Sequence, residues 1–123
     1  MAETTSNPPT PTAAAPFVVP QQFFGDPKKL LQAVSEPVRW AVLRDLASGQ
    51  ALTVAELAAR QGRWPDLMSK HLRVLRDAGV VVVVPAPDGD ARKQCQSVPA
   101  TFRRLDEAGK PMLDFGVCAL RFA

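Results

Sequence analysis

Two amphipathic stretches follow each other so closely in this chain that only residues 62–64 are left to connect them. The first, 54–61, starts after Thr53, and Glu56 follows three residues later, a pairing typical of a capped helix start. In the second, 65–78, one helical face is apolar, with residues spaced i, i+4 and i+7: Met68, Leu72 and Leu75. Such a pattern predicts two helices, and so short a connection forces them to meet at a sharp angle.

Two further helices are predicted upstream, at 27–34 and 37–48. Each begins with a proline, Pro27 or Pro37, which is well tolerated in the first turn of a helix because the missing N–H would have no partner there. The longer helix has an apolar face that consists of Val38, Ala41, Val42 and Leu46. The pair Ser48-Gly49 then predicts its end.

A β-hairpin is predicted directly after the last helix. Residues 80–84 are five consecutive valines, which predict a strand buried on both sides. Turn-forming residues fill 85–91, and a mostly polar strand returns over 92–98, with Arg92 and Lys93 at its near base. Helices, tight turn and hairpin in this order predict an α+β, mainly α fold, a winged helix-turn-helix whose wing is the 80–98 hairpin.

Several runs resemble the ArsR-type winged-helix transcriptional regulators: SEPVR at 35–39, LASG at 46–49, TVAELA at 53–58 and SKHLRVLRDAGVV at 69–81. The similarity covers about residues 30–98, and the last run also suits neighbouring groups such as the MarR-like proteins. The resemblance implies a dimeric repressor that binds an imperfect palindrome in double-stranded DNA, with helix 65–78 in the major groove.

The charge distribution agrees with a nucleic-acid partner. The net charge of the chain is only +3, but five Lys or Arg and one acidic residue lie between Arg60 and Arg76. The face of helix 65–78 opposite its apolar stripe carries Asp66, Ser69, Lys70 and Arg73. With the turn and the hairpin included, the candidate DNA-binding residues are Arg63, Trp64, Asp66, Leu67, Ser69, Lys70, His71, Arg73, Arg92 and Lys93.

Three of these candidates also have a purely structural interpretation. Asp66 favours the positive end of the helix dipole, and Trp64 is as well suited to seal the turn as to touch DNA. His71 lies close to the apolar stripe, which suits a partly buried residue bonded to a neighbour. Asp66, Leu67 and the modest net charge leave a second function open, a winged-helix protein-interaction module without DNA-binding activity.

The chain has few residues that could catalyse a reaction or bind a metal. No catalytic constellation is recognisable, so we expect no enzyme and no cofactor. Two cysteines, Cys95 and Cys118, and the single histidine cannot form a tetrahedral metal site within one chain, although a site shared across a dimer and a thiol switch stay open. No apolar run approaches the roughly 18 residues of a membrane span. The first residues lack a basic segment followed by an apolar stretch, so we expect no secretory signal and predict a cytoplasmic protein without a membrane partner. The effector, if any, is unknown.

The two ends are expected to differ from the domain 27–98. Five of the 12 prolines fall in the first 20 residues, which predicts a disordered tail over 1–16, followed by an apolar N-terminal arm over 17–26. In the C-terminal segment 99–123, apolar residues alternate from Leu113 to Ala119, which favours a strand over a helix. That apolar face needs a partner: the domain, the arm or a second subunit. We predict a homodimer that uses both segments.

Overall fold

The computed structural model describes residues 25–122, so the predicted tail 1–16 and all but two residues of the predicted arm lie outside the described residues. The four helices are α1 Pro27–Val34, α2 Pro37–Leu46, α3 Val54–Gln61 and α4 Pro65–Asp77. All four sequence-based predictions are confirmed, although α2 ends two residues earlier and α4 one residue earlier than expected.

Local signals explain where these helices begin. α1, α2 and α4 each carry proline in the first turn. At α3 the predicted capping box is present: the hydroxyl of Thr53 accepts from the N–H of Glu56 at 3.1 Å, and the Glu56 carboxylate accepts from the N–H of Thr53 at 2.8 Å. The box satisfies two backbone donors that the helix itself leaves without partners.

The predicted wing is a hairpin within a three-stranded antiparallel sheet. Its strands are β1 Leu52–Thr53, β2 Val82–Pro85 and β3 Gln94–Ser97, in the order β1-β3-β2. Gln96 in the central strand lies opposite Val83 on one side and opposite Leu52 on the other. β1 was not expected from the sequence, because two residues are too short for a strand period to show.

The prediction that the valine run is buried on both sides is wrong for the strand itself. Val82 and Val83 are 40% and 45% exposed, whereas Val80 and Val81, which precede β2, are buried. The polar strand β3 is the buried one, at Cys95, Gln96 and Ser97. The reason is position: β3 lies between two neighbours, whereas β2 is an edge strand.

The C-terminal segment forms a second antiparallel sheet, β4 Arg103–Leu105, β5 Pro111–Asp114 and β6 Ala119–Arg121, preceded by one 3-10 turn at Ala100–Phe102. A β structure is therefore confirmed. The prediction of a single alternating strand is wrong, because a turn at Gly116, with φ of 85°, separates β5 from β6. Val117 lies in that turn and is 58% exposed instead of sharing a buried face with Phe115.

Both sheets and all four helices contribute to one core. Leu113 and Phe115 are fully buried in the same cluster as Leu43 of α2 and Leu72 of α4. The domain of the same chain therefore covers the apolar face of the C-terminal segment, one of the three partners that the sequence left open. This packing holds α4 with one side against the core and the other side outward.

Candidate nucleic-acid interface

The two faces of α4 are sharply divided. Its apolar stripe, Met68, Leu72 and Leu75, is fully buried. The opposite face is exposed and carries the residues that the helical wheel predicted: Asp66, Ser69, Lys70 and Arg73. Because the buried stripe fixes the rotation of the helix about its axis, the polar face is presented to solvent in one orientation.

Three cations of this region have no protein partner. Arg63, Lys70 and Arg73 are exposed, and none of their side chains makes a hydrogen bond or ion pair with any residue of the described range 25–122. The other two basic residues of the stretch are occupied: Arg60 donates to the Gln50 side chain at 3.1 Å, and Arg76 donates to Gln96 at 3.1 Å. Three positive charges are thus free to meet a ligand.

The start of α4 is apolar and acidic. Trp64 is the N-cap, makes no capping hydrogen bond through its side chain and is 80% exposed, so it does not seal the turn. Leu67 is 41% exposed, and Asp66 lies in the first turn. An indole with so little burial is available for contact with another molecule.

The turn between α3 and α4 depends on a left-handed residue. Gly62 has φ of 61°, and the N–H of Arg63 donates back to the carbonyl of Ala58 at 2.9 Å. This conformation ends α3 and allows the chain to enter α4 after only three residues. Gly62 is therefore the residue that makes the predicted sharp angle possible.

His71 is bonded to a neighbour. It is half-buried, and its Nδ1 lies 3.1 Å from Nη1 of Arg39 in α2. Because a guanidinium only donates, Nδ1 accepts and Nε2 carries the proton. Arg39 also donates through Nε to the carbonyl of Ala33 at 2.6 Å. His71 thus links α4 to α2 and to the end of α1. Arg39 was not singled out from the sequence.

The wing cations lie at the tip of the hairpin, in the loop 86–93, and not at its base as predicted. Both are paired: Arg92 Nε is 3.2 Å from Oδ1 of Asp90, and Lys93 Nζ is 2.9 Å from Oδ2 of Asp88. The hydrogen bond from Lys93 lowers the pKa of Asp88, and that from Arg92 lowers the pKa of Asp90. The tip is therefore balanced in charge at neutral pH.

The two cysteines lie apart from these surfaces. Cys95 is buried in β3, and Cys118 is a half-buried free thiol whose pKa is raised by desolvation. Among residues 25–122, no three His, Cys, Asp or Glu side chains come together as a metal site would require. In the same range no helix is long and apolar enough to cross a bilayer.

Comparison with known proteins finds one matching family model and several solved structures with a similar fold. A family model described as a helix-turn-helix domain matches residues 34–84. The solved structure of HlyU from Vibrio cholerae is similar over 60% of this chain and 75% of its own, with 27% identity and a TM-score of 0.52. An ArsR-like transcriptional regulator from a Rhodococcus species shares the fold over 58% of this chain and 62% of its own, with 24% identity and a TM-score of 0.51. No curated protein matches the sequence.

Proposed function

We propose that this chain, whose helix-turn-helix region matches a family model and whose fold is similar to that of HlyU, regulates transcription as a dimeric ArsR-type repressor that binds double-stranded DNA. The observation that carries the proposal is the set of three exposed cations without a protein partner, Arg63, Lys70 and Arg73. Phosphate contacts by Lys and Arg supply most of the affinity of such complexes. The protein acts in the cytoplasm, and we assign it no catalytic activity.

Within the complex, α4 enters the major groove and the 80–98 hairpin is the wing. Lys70 and Arg73 contact phosphates or guanine edges, and Ser69 bonds to either base or backbone. Trp64 and Leu67 lie against sugars or thymine methyl groups, and Asp66 accepts from a cytosine amino group. His71, half-buried against Arg39, contributes by orienting α4.

The dimer is proposed to form through the C-terminal segment 99–123 together with the arm 17–26. Two large apolar side chains in the described part of that segment are exposed, Leu105 at 69% and Val117 at 58%. They lie at opposite ends of the second sheet, because Leu105 pairs with Pro111 at the start of β5 and Val117 follows its end. Analytical ultracentrifugation at tens of micromolar tests this assembly, and a monomer at that concentration would contradict it.

A second candidate function is a protein-interaction module. The apolar and acidic start of α4, with Trp64, Asp66 and Leu67 all exposed, favours it. A protein partner would meet the same face of α4 through apolar burial, and its binding would be less sensitive to salt than phosphate contact.

A salt titration separates the two functions. Binding to a generic duplex should weaken with a log–log slope of about −0.9 for each phosphate contacted. The double variant Lys70→Ala/Arg73→Ala should reduce that slope by about 1.8 and weaken binding. As a matched control, Lys110→Ala/Arg121→Ala removes one charge from the turn between β4 and β5 and one from β6, and should leave the slope unchanged. Wild-type affinity in the Lys70/Arg73 variant would exclude α4 as the binding element, and the absence of salt-dependent binding would favour the interaction module.

A further inference from the structure

A cleft of about 350 Å³ lies between the C-terminal end of α2 and the strands β4 and β5. This volume is within the range of small-molecule sites. The lining residues are Ala47, Ser48, Arg103, Arg104, Leu105 and Pro111. Two of the six carry a guanidinium, and none carries a carboxylate. None of them belongs to α4 or to the wing, so the cleft is separate from the proposed DNA interface.

Arg103 is unusual among the arginines near this cleft. The residue is half-buried and its Nε is buried, yet its guanidinium makes no hydrogen bond or ion pair with any residue between 25 and 122. Its neighbours in the same sheet are occupied: Arg104 donates to the carbonyl of Thr101 at 3.0 Å, and Arg121 pairs with Glu107 at 2.9 Å. A buried donor without an acceptor is unfavourable. The guanidinium that carries it lines the cleft, where an anion could offset part of that cost by bonding to its other N–H groups.

The Arg103 guanidinium packs against the backbone of Gly49. Gly49 has φ of 99°, and a Cβ at this position would meet Nη1 of Arg103, so the guanidinium rests directly on the glycine. Although it lies beside the end of α2, it donates to none of the carbonyls there, and helix capping does not explain it. The guanidinium therefore lies beside the cleft without an acceptor from the end of α2.

We propose that this cleft binds a small organic carboxylate. The guanidinium of Arg103 presents N–H donors that match the oxygens of a carboxylate. Arg104 uses Nη1 for the carbonyls of Thr101 and Arg103, and its Nη2 remains to donate to the same ligand. The hydroxyl of Ser48 accepts from the amide of Gln50 at 3.4 Å, which leaves its own hydrogen to donate to the ligand. Ala47 and Pro111 supply an apolar wall. Such a wall suits an anion on a compact apolar body and offers no favourable contact to inorganic phosphate.

Titration of the full-length ¹⁵N-labelled chain with benzoate, followed by NMR, tests the proposal. Saturable shifts are expected at the amides of Ser48, Gly49 and the strand 103–105. Benzyl alcohol, which has the same body without the charge, should cause none of them, and inorganic phosphate should bind at least tenfold more weakly. Arg103→Gln should weaken benzoate binding at least tenfold. Arg121→Gln, which removes a paired cation from the same sheet, should leave it unchanged.

Two further variants and a second carboxylate also test the cleft. If Arg103→Gln does not fold, the exposed changes Arg104→Gln and Ser48→Ala should each weaken binding, and unchanged affinity in both would overturn the site. The absence of saturable shifts with both benzoate and hexanoate would overturn it as well. Phosphate binding as tight as that of benzoate would overturn the carboxylate assignment.

The proposal does not depend on the proposed DNA-binding function. Arg103→Gln should bind a generic duplex with the wild-type salt slope, since none of the residues lining the cleft belongs to α4 or to the wing. A reduced slope would reassign Arg103 to a DNA phosphate and overturn the carboxylate site. Conversely, a chain that binds benzoate but no duplex would contradict the DNA-binding proposal and leave the cleft assignment supported.

Discussion

Arg76, in the last turn of α4, donates a hydrogen bond from Nη1 to Oε1 of Gln96 in the central strand of the wing sheet, over 3.1 Å. Gln96 is only 3% exposed, so this contact is the point at which the candidate recognition helix is tied to the wing. It also explains why a polar residue occupies a buried position in β3: its side chain is satisfied by a charged donor.

Replacing Gln96 with leucine should destabilise the protein and loosen the wing. The change leaves the Arg76 guanidinium without its acceptor, which we expect to cost about 1 to 2 kcal/mol in the free energy of unfolding. Urea denaturation measures this cost, and a duplex-binding assay should show weaker affinity. Gln94→Leu, in the same strand but exposed, is the matched control. An equal loss of stability in the Gln94 variant would argue against the assigned contact.

Trp64 should report directly on DNA. Because it is 80% exposed, Trp64→Ala should change the free energy of unfolding by no more than about 0.5 kcal/mol, while duplex affinity falls. Addition of DNA should quench tryptophan emission in the wild type. Trp64→Phe should abolish the quenching, whereas Trp40→Phe, at a ring packed 4.9 Å from that of Phe122, should retain it. Quenching that persists in Trp64→Phe would show that the start of α4 does not meet DNA.

The helices could be predicted from sequence because their signals are local. Proline at positions 27, 37 and 65 and the Thr53–Glu56 pair act through backbone geometry and hydrogen bonds within one turn, so the surrounding fold does not change their meaning. The exposed face of α4 could be predicted for the same reason, because the spacing of the buried residues along the helix shows which face points to solvent.

The burial of the two wing strands could not be predicted in this way. Five valines favour a strand, but which strand lies in the centre depends on β1, a two-residue pairing formed about 30 residues upstream. Likewise, the pairing of Lys93 with Asp88 and the orphaned Nε of Arg103 depend on side-chain positions across turns. Composition counts such charges, but only the fold decides which of them remain free for a ligand.

The free energy of unfolding should depend measurably on the Thr53 hydroxyl in the capping box of α3. Thr53→Ala removes the acceptor of the Glu56 N–H and should lower the free energy of unfolding by about 1 kcal/mol at neutral pH. Thr53→Ser retains the acceptor and serves as the control. Equal stability of the alanine and serine variants would contradict the contribution of the cap.

Glu56 should make part of that stability pH-dependent. The hydrogen bond from the Thr53 N–H lowers the pKa of Glu56 in the folded state. A depressed carboxyl pKa gives stability that is present above the unfolded pKa and is lost as the pH falls through the folded pKa. At pH values below the usual pKa of glutamate, the wild type should therefore lose stability relative to Glu56→Gln. The reason is that the glutamine side-chain amide accepts the same bond without titrating. Parallel urea titrations of both proteins across that range measure the difference, and parallel pH curves would contradict it.

The wing tip should contribute little to DNA affinity until its acids are neutralised. Arg92 and Lys93 are engaged with Asp90 and Asp88, so a phosphate would have to replace a partner already in place. Asp88→Asn/Asp90→Asn should therefore strengthen binding to a generic duplex several-fold and steepen its salt slope, by up to about 1.8 if both cations reach phosphates. The same pair of changes in an Arg92→Ala/Lys93→Ala background supplies the control, because it alters the acids without releasing any cation. A similar gain in that background would mean that the effect is one of net charge alone, and the wing tip would then have no direct contact with DNA.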